Sequence, residues 1–211
     1  MAAAIDTAAL TAWLREFAGA VSAEKQYLTQ LDSAIGDADH GTNVDRGMTA
    51  VLAALEEGPP ATVGAMFKLV GMTLVSKVGG ASGPLLGTFF LRFGTTAGDE
   101  EAIDAATFAA AFRAGLDGVV ARGKAVAGDK TMYDALAPAV DALDAALARG
   151  DDLGPALGEA AAAAAAGRDA TTPMLARKGR ASYLGDRSIG HQDPGATSSA
   201  LLVDAAARAL A

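Results

Sequence analysis

Three aspartates lie close together in a turn-like stretch near the N-terminus. Asp32, Asp37 and Asp39 fall within eight residues, and Gly36 and Gly41 let the backbone turn sharply around them. Two carboxylates about 5 Å apart repel by roughly 3 kcal/mol at an effective dielectric constant of about 20, so this cluster favours a bound cation. Magnesium commonly takes one or two carboxylates together with substrate phosphates. A solvated acidic turn in which Asp39 caps the next helix is the alternative.

A second stretch is rich in glycine and opens a predicted helix. It reads Gly79-Gly80-Ala81-Ser82-Gly83-Pro84, and proline suits the first helical turn. The free N–H groups of a helix start attract anions, and Ser82 can either cap the helix or donate to a phosphate oxygen. Neither a Walker A motif nor the dinucleotide G-x-G-x-x-G pattern is present. A glycine-rich helix start alone is weak evidence, so a plain helix cap is the favoured interpretation of this stretch in isolation.

Two further stretches could complete a phosphate site. Gly128-Asp129-Lys130-Thr131-Met132 opens another predicted helix, with Asp129 or Thr131 as its cap, and Met132 could line an apolar slot for a base together with Leu85 and Leu86. The stretch from Lys178 to Gly195 carries the densest group of basic residues, namely Lys178, Arg180 and Arg187. Basic groups facing the aspartates would form a phosphate and metal site. Alternatively, the arginines simply pair with acidic surface residues.

The chain has two histidines, and they indicate no covalent catalysis. His40 directly follows Asp39 at a predicted helix start, which places it beside a bound phosphate, whereas His191 is interpreted as an ordinary loop histidine. No Ser-His-Asp arrangement is evident and cysteine is absent. The chemistry would depend on positioning and charge neutralisation, as phosphoryl transfer allows.

Composition limits the class of protein and its partners. The chain has 211 residues, a net charge of −8 and a pI near 4.7. This balance argues against nucleic acid or an anionic membrane as the partner. No apolar run reaches the roughly 20 residues of a membrane span, and Met1 to Leu10 lacks the basic start of a secretory signal. We expect a single cytoplasmic domain covering residues 1–211.

Helical periodicity dominates, which predicts an all-α fold. Strand signals are weak. The segment from Met66 to Val75 is apolar on almost every side, as in a buried central helix. The run from Ala160 to Ala166 is interpreted as a tightly packed helix face. The predicted helices lie at about 6–28, 42–56, 61–78, 84–95, 102–121, 131–149, 154–177 and 195–210.

The connections between these helices fall into two kinds. The second, fourth and sixth are ordinary turns of glycine, proline and acidic residues, while the first, third, fifth and seventh contain the unusual stretches. If consecutive helices are antiparallel, all odd-numbered connections lie at the same end. The sequence therefore predicts an eight-helix antiparallel up-and-down barrel with its functional loops at one end.

These motifs together resemble a known family. The segments 36–43, 79–85, 128–132, 178–185 and 188–198 resemble the L subunit of bacterial dihydroxyacetone kinase, the ADP-binding subunit of the form that depends on the phosphotransferase system. The resemblance runs from Glu24 to the C-terminus. It implies an eight-helix barrel that binds nucleotide at one rim.

The resemblance also implies roles for individual residues. Asp32, Asp37 and Asp39 would hold two magnesium ions that bridge the phosphates of ADP or ATP. The residues that would contact phosphate or ribose are His40, Gly41, Thr42, Asn43, Ala81, Ser82 and Thr131. Those that would help to seat the nucleotide are Gly123, Met132, Arg180, Asp193, Pro194 and Gly195.

In such a kinase, bound ADP behaves as a coenzyme. A phosphohistidine-carrying phosphotransferase-system partner, ultimately supplied by phosphoenolpyruvate, recharges ADP to ATP. The γ-phosphoryl group of this ATP then passes to dihydroxyacetone on the K subunit. The absence of a fused K domain within 211 residues favours this form. Four alternatives remain: a subunit exchanging free ATP, a magnesium-dependent helical hydrolase, a module binding an apolar ligand, and a phosphohistidine carrier using His40 or His191.

Overall fold

The computed structural model describes residues 4–211, and this part of the chain is mainly helical. The stretch Met1 to Leu10, which lacks the basic start of a secretory signal, lies partly outside the described residues. Two very short strands accompany the helices: β1 (Ile5–Asp6) and β2 (Ala102–Ile103). The α-helices are α1 (Thr7–Ala23), α2 (Lys25–Ile35), α3 (His40–Glu57), α4 (Val63–Lys77), α5 (Ser82–Ala97), α6 (Ala105–Gly123), α7 (Tyr133–Ala148), α8 (Leu153–Ala170) and α9 (Pro194–Ala209).

The first predicted helix, 6–28, is wrong in its extent. The chain leaves regular helical geometry at Glu24, and α2 then continues to Ile35. Asp32 therefore lies on a helix rather than in a loop. The next helix begins at His40, two residues before its predicted start, so that His40 occupies its first turn.

Two other boundaries also differ from the prediction. Residues 102–103 pair with residues 5–6 as antiparallel strands, and Asp104 then caps α6 by accepting a hydrogen bond from Thr107 N at 2.7 Å. The helix predicted at 154–177 ends at Ala170 because Pro173 disfavours helical geometry in the residue before it. The segment that follows includes a 3-10 helix, Arg180–Ser188, which the periodicity did not predict.

Eight of the helices pack in a closed ring. Each of α3 to α8 contacts the next helix in chain order, and α1 closes the ring by contacting both α3 and α9. The shorter α2 extends beyond α1 and packs against α3, α9 and the 3-10 helix. Neighbours such as α4 and α5 are antiparallel, since Gly64 lies near Gly98 while Gly71 lies near Gly87. The all-α prediction is confirmed.

A cluster of aromatic side chains fills the ring. The buried Trp13 lies at its centre, with Phe108 and Phe93 at centroid distances of 5.6 and 5.8 Å. Its indole N–H donates to Leu202 O at 3.0 Å, which links α1 to α9. Aromatic pairs of this kind add about 0.5–1.5 kcal/mol each beyond area burial. The other members of the cluster are Phe67, Phe89, Phe90 and Phe112.

Two further interpretations of the helices have different outcomes. The all-round burial predicted for Met66 to Val75 is wrong, because Met72 and Val75 on α4 are 57% and 42% exposed. The alanine-rich face of α8 is confirmed as a packing surface, since Ala160 and Ala164 are fully buried there. Among residues 4–211, no helix is both long enough and apolar enough to cross a membrane.

The close approach of α4 and α5 depends on small residues and gives a first test. A methyl group on Gly87 would lie 2.5 Å from Val75 Cγ2 and 2.8 Å from the backbone oxygen of Gly71. We expect Gly87→Ala to lower the free energy of unfolding by about 1–2 kcal/mol, because overpacking outweighs the helix propensity gained. Urea denaturation followed by circular dichroism measures the change.

The matched control for this test is Gly158→Ala. Gly158 lies on the exposed face of α8, where an added methyl group meets nothing within 4 Å. Alanine should raise the free energy of unfolding there by about 0.5–1 kcal/mol. Equal effects of the two substitutions would contradict the described packing of α4 against α5.

Candidate functional site

The four unusual connections converge on one cleft of about 290 Å³ at one end of the ring. The plain turns before α4 and α6 meet elsewhere, where Val63 N donates to Glu100 O at 2.8 Å. The prediction that the unusual connections gather at one end is therefore confirmed. Predicted site residues that line the cleft are Asp32, Asp37, Asp39, His40, Ala81, Ser82, Gly123, Thr131, Met132, Arg180, Asp193, Pro194 and Gly195.

Three predicted contact residues do not line this cleft. Gly41 packs against α2, where a side chain would collide with the backbone of Lys25. Thr42 is exposed, and Asn43 is buried beside Gly79 and accepts a hydrogen bond from Arg46 at 2.7 Å. Their contact with phosphate stays a prediction.

The acidic cluster forms as the sequence predicts. One carboxylate oxygen from each of Asp32, Asp37 and Asp39 lies within 4.8 Å of the others. Asp32 Oδ2 also accepts hydrogen bonds from the backbone N–H groups of Asp39, at 2.8 Å, and His40, at 3.1 Å. Asp32 therefore caps α3 from another helix, and the interpretation of Asp39 as the capping side chain is wrong, since that carboxylate makes no cap hydrogen bond.

This cluster fits a hard divalent cation. Its donors are three carboxylate oxygens, the ligand type that magnesium prefers. Asp32 is buried and oriented by two backbone N–H groups, while Asp37 and Asp39 are more accessible from the cleft. A cation at this position would remove the mutual repulsion of the carboxylates and would leave room for ligands from the cleft side.

Arg180 brings positive charge to the same place. It lies at the start of the 3-10 helix, and its guanidinium is 3.0 Å from Asp37 Oδ2. For Arg180, pairing with an acidic group and a position in the cleft are therefore both confirmed, while its contact with nucleotide stays a prediction. Lys178 also lines the cleft, whereas Arg187 does not.

The His40 imidazole lies between two serines. Ser82 Oγ is 3.0 Å from Nδ1, and Ser198 Oγ is 3.0 Å from Nε2. Burial lowers the pKa of His40, although the nearby Asp32 and Asp39 oppose that shift. The interpretation of Ser82 as a helix cap is wrong, since α5 begins after Ala81 without a side-chain cap and the Ser82 hydroxyl bonds His40 instead.

Asp134 organises the loop before α7, and the sequence analysis missed it. Its carboxylate accepts hydrogen bonds from Gly128 N at 2.6 Å and from Thr131 N at 2.8 Å. Asp129 bonds Val126 N instead, so its predicted role as the cap of α7 is wrong. The signal was available, because Thr131-Met132-Tyr133-Asp134 matches the S/T-x-x-D/E pattern of a capping box.

Lys130 is a second residue that the sequence analysis missed. It is only 1% exposed, and its ammonium donates to the carbonyls of Ser188 at 2.6 Å, Met174 at 3.1 Å and Thr172 at 3.5 Å. Burial lowers the pKa of Lys130, while Asp193 opposes that shift. Lys130 thus fastens the long last loop to the start of α7.

Asp193 holds the other end of that loop. Its carboxylate caps α9 by accepting from Ala196 N at 2.6 Å, and its own N–H donates to Thr171 Oγ1 at 3.0 Å. Burial raises the pKa of Asp193 to about 7, with a further rise from Asp134 and an opposing effect of Lys130.

The apolar wall of the cleft agrees with the predicted slot except at one residue. Leu85 and Met132 line it, together with Val119 and Ala125. Leu86 points into the core and is fully buried. The lining of the cleft therefore combines the acidic cluster with apolar side chains.

Fold and site together define a helical protein whose rim loops form an acidic, glycine-rich and basic cleft. The pattern of the DAK2 domain matches residues 34–208, which is most of the sequence. The chain belongs to the DAK2 domain family, so the resemblance found in its motifs is confirmed.

Individual relatives agree with this assignment. The ADP-binding subunit of the PEP-dependent dihydroxyacetone kinase of Escherichia coli is 47% identical over 186 residues, 88% of this chain and 89% of that one. The corresponding subunit of kinase 1 from Listeria innocua is 50% identical, and the match covers 92% of this chain and 91% of that one. The dihydroxyacetone kinase of C. freundii in complex with AMP-PNP and Mg2+ is structurally similar, with a TM-score of 0.72 and 27% identity over 94% of this chain. This chain spans 33% of that longer kinase.

The raised pKa of Asp193 predicts how stability depends on pH. An unfolded aspartate ionises near 3.8, whereas Asp193 in the folded chain stays protonated up to about 7. Between these values the native state holds the extra proton, so the contribution of Asp193 to stability falls as pH rises. We expect the free energy of unfolding of the wild type, minus that of Asp193→Asn, to fall by at most about 1.4 kcal/mol per pH unit in this window.

Asp104→Asn provides a control of opposite sign. Asp104 also caps a helix, but it is exposed, and the hydrogen bond from Thr107 N lowers its pKa. Its contribution to stability is therefore present above pH 4 and is lost in more acidic solution. Denaturant unfolding of the metal-free and nucleotide-free protein between pH 3 and pH 8 measures both differences. The same sign for both variants would rule out the assigned environment of Asp193.

Proposed function

We propose that this chain is the nucleotide-binding subunit of a dihydroxyacetone kinase, holding ADP or ATP with magnesium in the rim cleft. The observation that carries the proposal is the meeting of three carboxylates with glycine-rich helix starts and Arg180 in one cleft. The ADP-binding subunits that the chain resembles over about 90% of their length support the choice of nucleotide. The related kinase in complex with AMP-PNP and Mg2+ supports the choice of metal.

Different parts of the cleft would bind different parts of the nucleotide. Asp32, Asp37 and Asp39 would hold two magnesium ions, which would neutralise phosphate charge and orient the γ-phosphoryl group for transfer. The start of α5 would present N–H groups to an anion through Ala81 and Ser82. His40 is also assigned to phosphate, although its own backbone N–H is bonded to Asp32. Remaining site assignments are the phosphate or ribose contacts Gly41, Thr42, Asn43 and Thr131, and the seat formed by Gly123, Met132, Arg180, Asp193, Pro194 and Gly195.

The chain itself supplies no covalent nucleophile in this proposal. Its residues would position phosphates, and Leu85 and Met132 would present an apolar surface to the bound nucleotide. The rim would face a K subunit that holds dihydroxyacetone, so the phosphoryl group would leave the cleft for a substrate on another chain. The side chain of Arg180 is 68% exposed, so it is open to a group that reaches the rim from another chain.

The phosphoryl donor and the cellular setting belong to the same proposal. The similar bacterial subunits belong to kinases that are named PEP-dependent. This name supports a phosphohistidine-carrying phosphotransferase-system protein as the donor that recharges ADP. A subunit that exchanges free ATP is the alternative. We propose a cytoplasmic location and a single nucleotide-binding domain over residues 1–211, without nucleic-acid or membrane partners.

Asp37→Asn tests the metal assignment. We expect this variant to lose magnesium-dependent ADP retention while keeping its helical circular dichroism spectrum, because the second carboxylate of the cluster becomes neutral. In the wild type, Mg–ADP at about 1,000 times its dissociation constant should add roughly 4 kcal/mol to the free energy of unfolding. Thermal unfolding with and without Mg–ADP measures both effects.

The control for this test is Asp117→Asn. Asp117 is an exposed aspartate on α6 and does not line the cleft, so its removal changes the net charge equally without touching the site. It should retain the full stabilisation by Mg–ADP. Normal Mg–ADP stabilisation of Asp37→Asn would contradict the metal assignment.

Reconstitution tests the donor. The purified chain, loaded with Mg–ADP and mixed with a K subunit and dihydroxyacetone, should form product when a PEP-driven phosphohistidine protein is present. Without that protein, added ATP should give only slow turnover limited by nucleotide exchange. Rapid turnover with ATP alone would favour the exchanging subunit, and hydrolysis of ATP by the isolated chain would favour a hydrolase.

A further inference from the structure

A chain of hydrogen bonds runs from the cleft to a buried residue behind it. Ser82 on α5 lines the cleft and lies 3.0 Å from His40 Nδ1, while His40 Nε2 lies 3.0 Å from the hydroxyl of Ser198 on α9. Ser198 is fully buried and is not part of the cleft wall. Three helices thus meet through one imidazole ring.

The number of available protons fixes the direction of these bonds. Ser198 Oγ is also 3.1 Å from Gly195 O, and a carbonyl can only accept. Because a serine hydroxyl has a single proton, Ser198 donates to Gly195 and accepts from His40 Nε2. A neutral ring that carries its proton on Nε2 has none on Nδ1, so Nδ1 accepts from Ser82. This arrangement makes all three hydrogen bonds, whereas the opposite tautomer makes only two of them.

This direction has a consequence for the cleft. The proton of Ser82 points to His40, so Ser82 presents only lone pairs to whatever enters. A phosphate oxygen is also an acceptor, so Ser82 can bind phosphate only if its proton turns outward. His40 must then donate from Nδ1, and Ser198 must turn its proton from Gly195 to His40 Nε2.

We propose that Ser198 is a positioning residue, which holds His40 in the Nε2–H tautomer while the cleft lacks nucleotide and lets it change to Nδ1–H when phosphate engages Ser82. In this exchange His40 releases the Nε2 proton to water and takes one up at Nδ1. The three groups hold one N–H and two O–H protons before and after. The half of this inference that concerns phosphate rests on the proposed function.

Nitrogen NMR of the imidazole rings tests the tautomer directly. The sequence has two histidines, and His191 is exposed, so the long-range proton–nitrogen correlation spectrum of 15N-labelled protein contains two ring systems that are easily distinguished. In metal-free and nucleotide-free protein at neutral pH, His40 should show a protonated Nε2 and an unprotonated Nδ1. An Nδ1–H tautomer in this state would overturn the proposal.

Two neighbouring serines of α9 give the matched variants. Ser198→Ala removes the acceptor of the Nε2 proton, so His40 should shift to the Nδ1–H tautomer and avoid a buried N–H without a partner. Ser199 is equally buried, and its hydroxyl has no hydrogen-bond partner within residues 4–211. Ser199→Ala should therefore leave the spectrum of His40 unchanged. An unchanged tautomer in Ser198→Ala would overturn the role of Ser198.

Adding Mg–ADP tests the exchange of tautomers. The Nδ1 resonance of His40 should move to its protonated position, and the Nε2 resonance to its unprotonated one, in proportion to the occupied fraction measured by calorimetry. Binding without this exchange would overturn the second half of the proposal. Absence of any Mg–ADP binding would instead overturn the proposed function and the exchange with it, while the nucleotide-free spectra would still decide the role of Ser198.

Discussion

Repulsion among three carboxylates at the rim is the interaction on which the rest of the site depends. The chain carries a net charge of −8, so no general excess of cations offsets the cluster of Asp32, Asp37 and Asp39. The protein instead uses local means. Two backbone N–H groups bond Asp32, and Arg180 pairs with Asp37. A divalent cation would complete this neutralisation and bring in phosphate from the same side.

The loops that carry this chemistry are irregular, and buried polar side chains give them a defined shape. Asp134 accepts from the backbone of the loop before α7, and the ammonium of Lys130 bonds three carbonyls of the last loop. Asp193 then caps α9 at the end of that loop. Since an unpaired buried polar group is costly, each bond disfavours other loop conformations. Positioning therefore rests in part on residues such as Asp134, which does not itself line the cleft.

The local sequence predicted a large part of the fold and of the site. Helical periodicity and the distribution of turn residues were enough to predict an all-α chain with its unusual loops at one end, because both signals repeat within a few residues. The boundaries at Glu24, Ala102 and Ala170 were missed. The first helix breaks at Glu24 between α1 and α2, residues 102–103 pair with residues 5–6, and Pro173 ends the helix that was predicted to continue beyond Ala170.

What the sequence by itself determined is the set of ingredients: helices, an acidic loop, glycine-rich helix starts and a basic last loop, all recognisable from residue type and spacing. Tertiary structure alone decided which groups meet. Asp32 caps a helix other than its own, Lys130 reaches carbonyls up to 58 residues away, and His40 bonds Ser198 at a separation of 158 residues. Such partners follow from ring closure, which joins distant segments, and no signal spanning three or four residues encodes them.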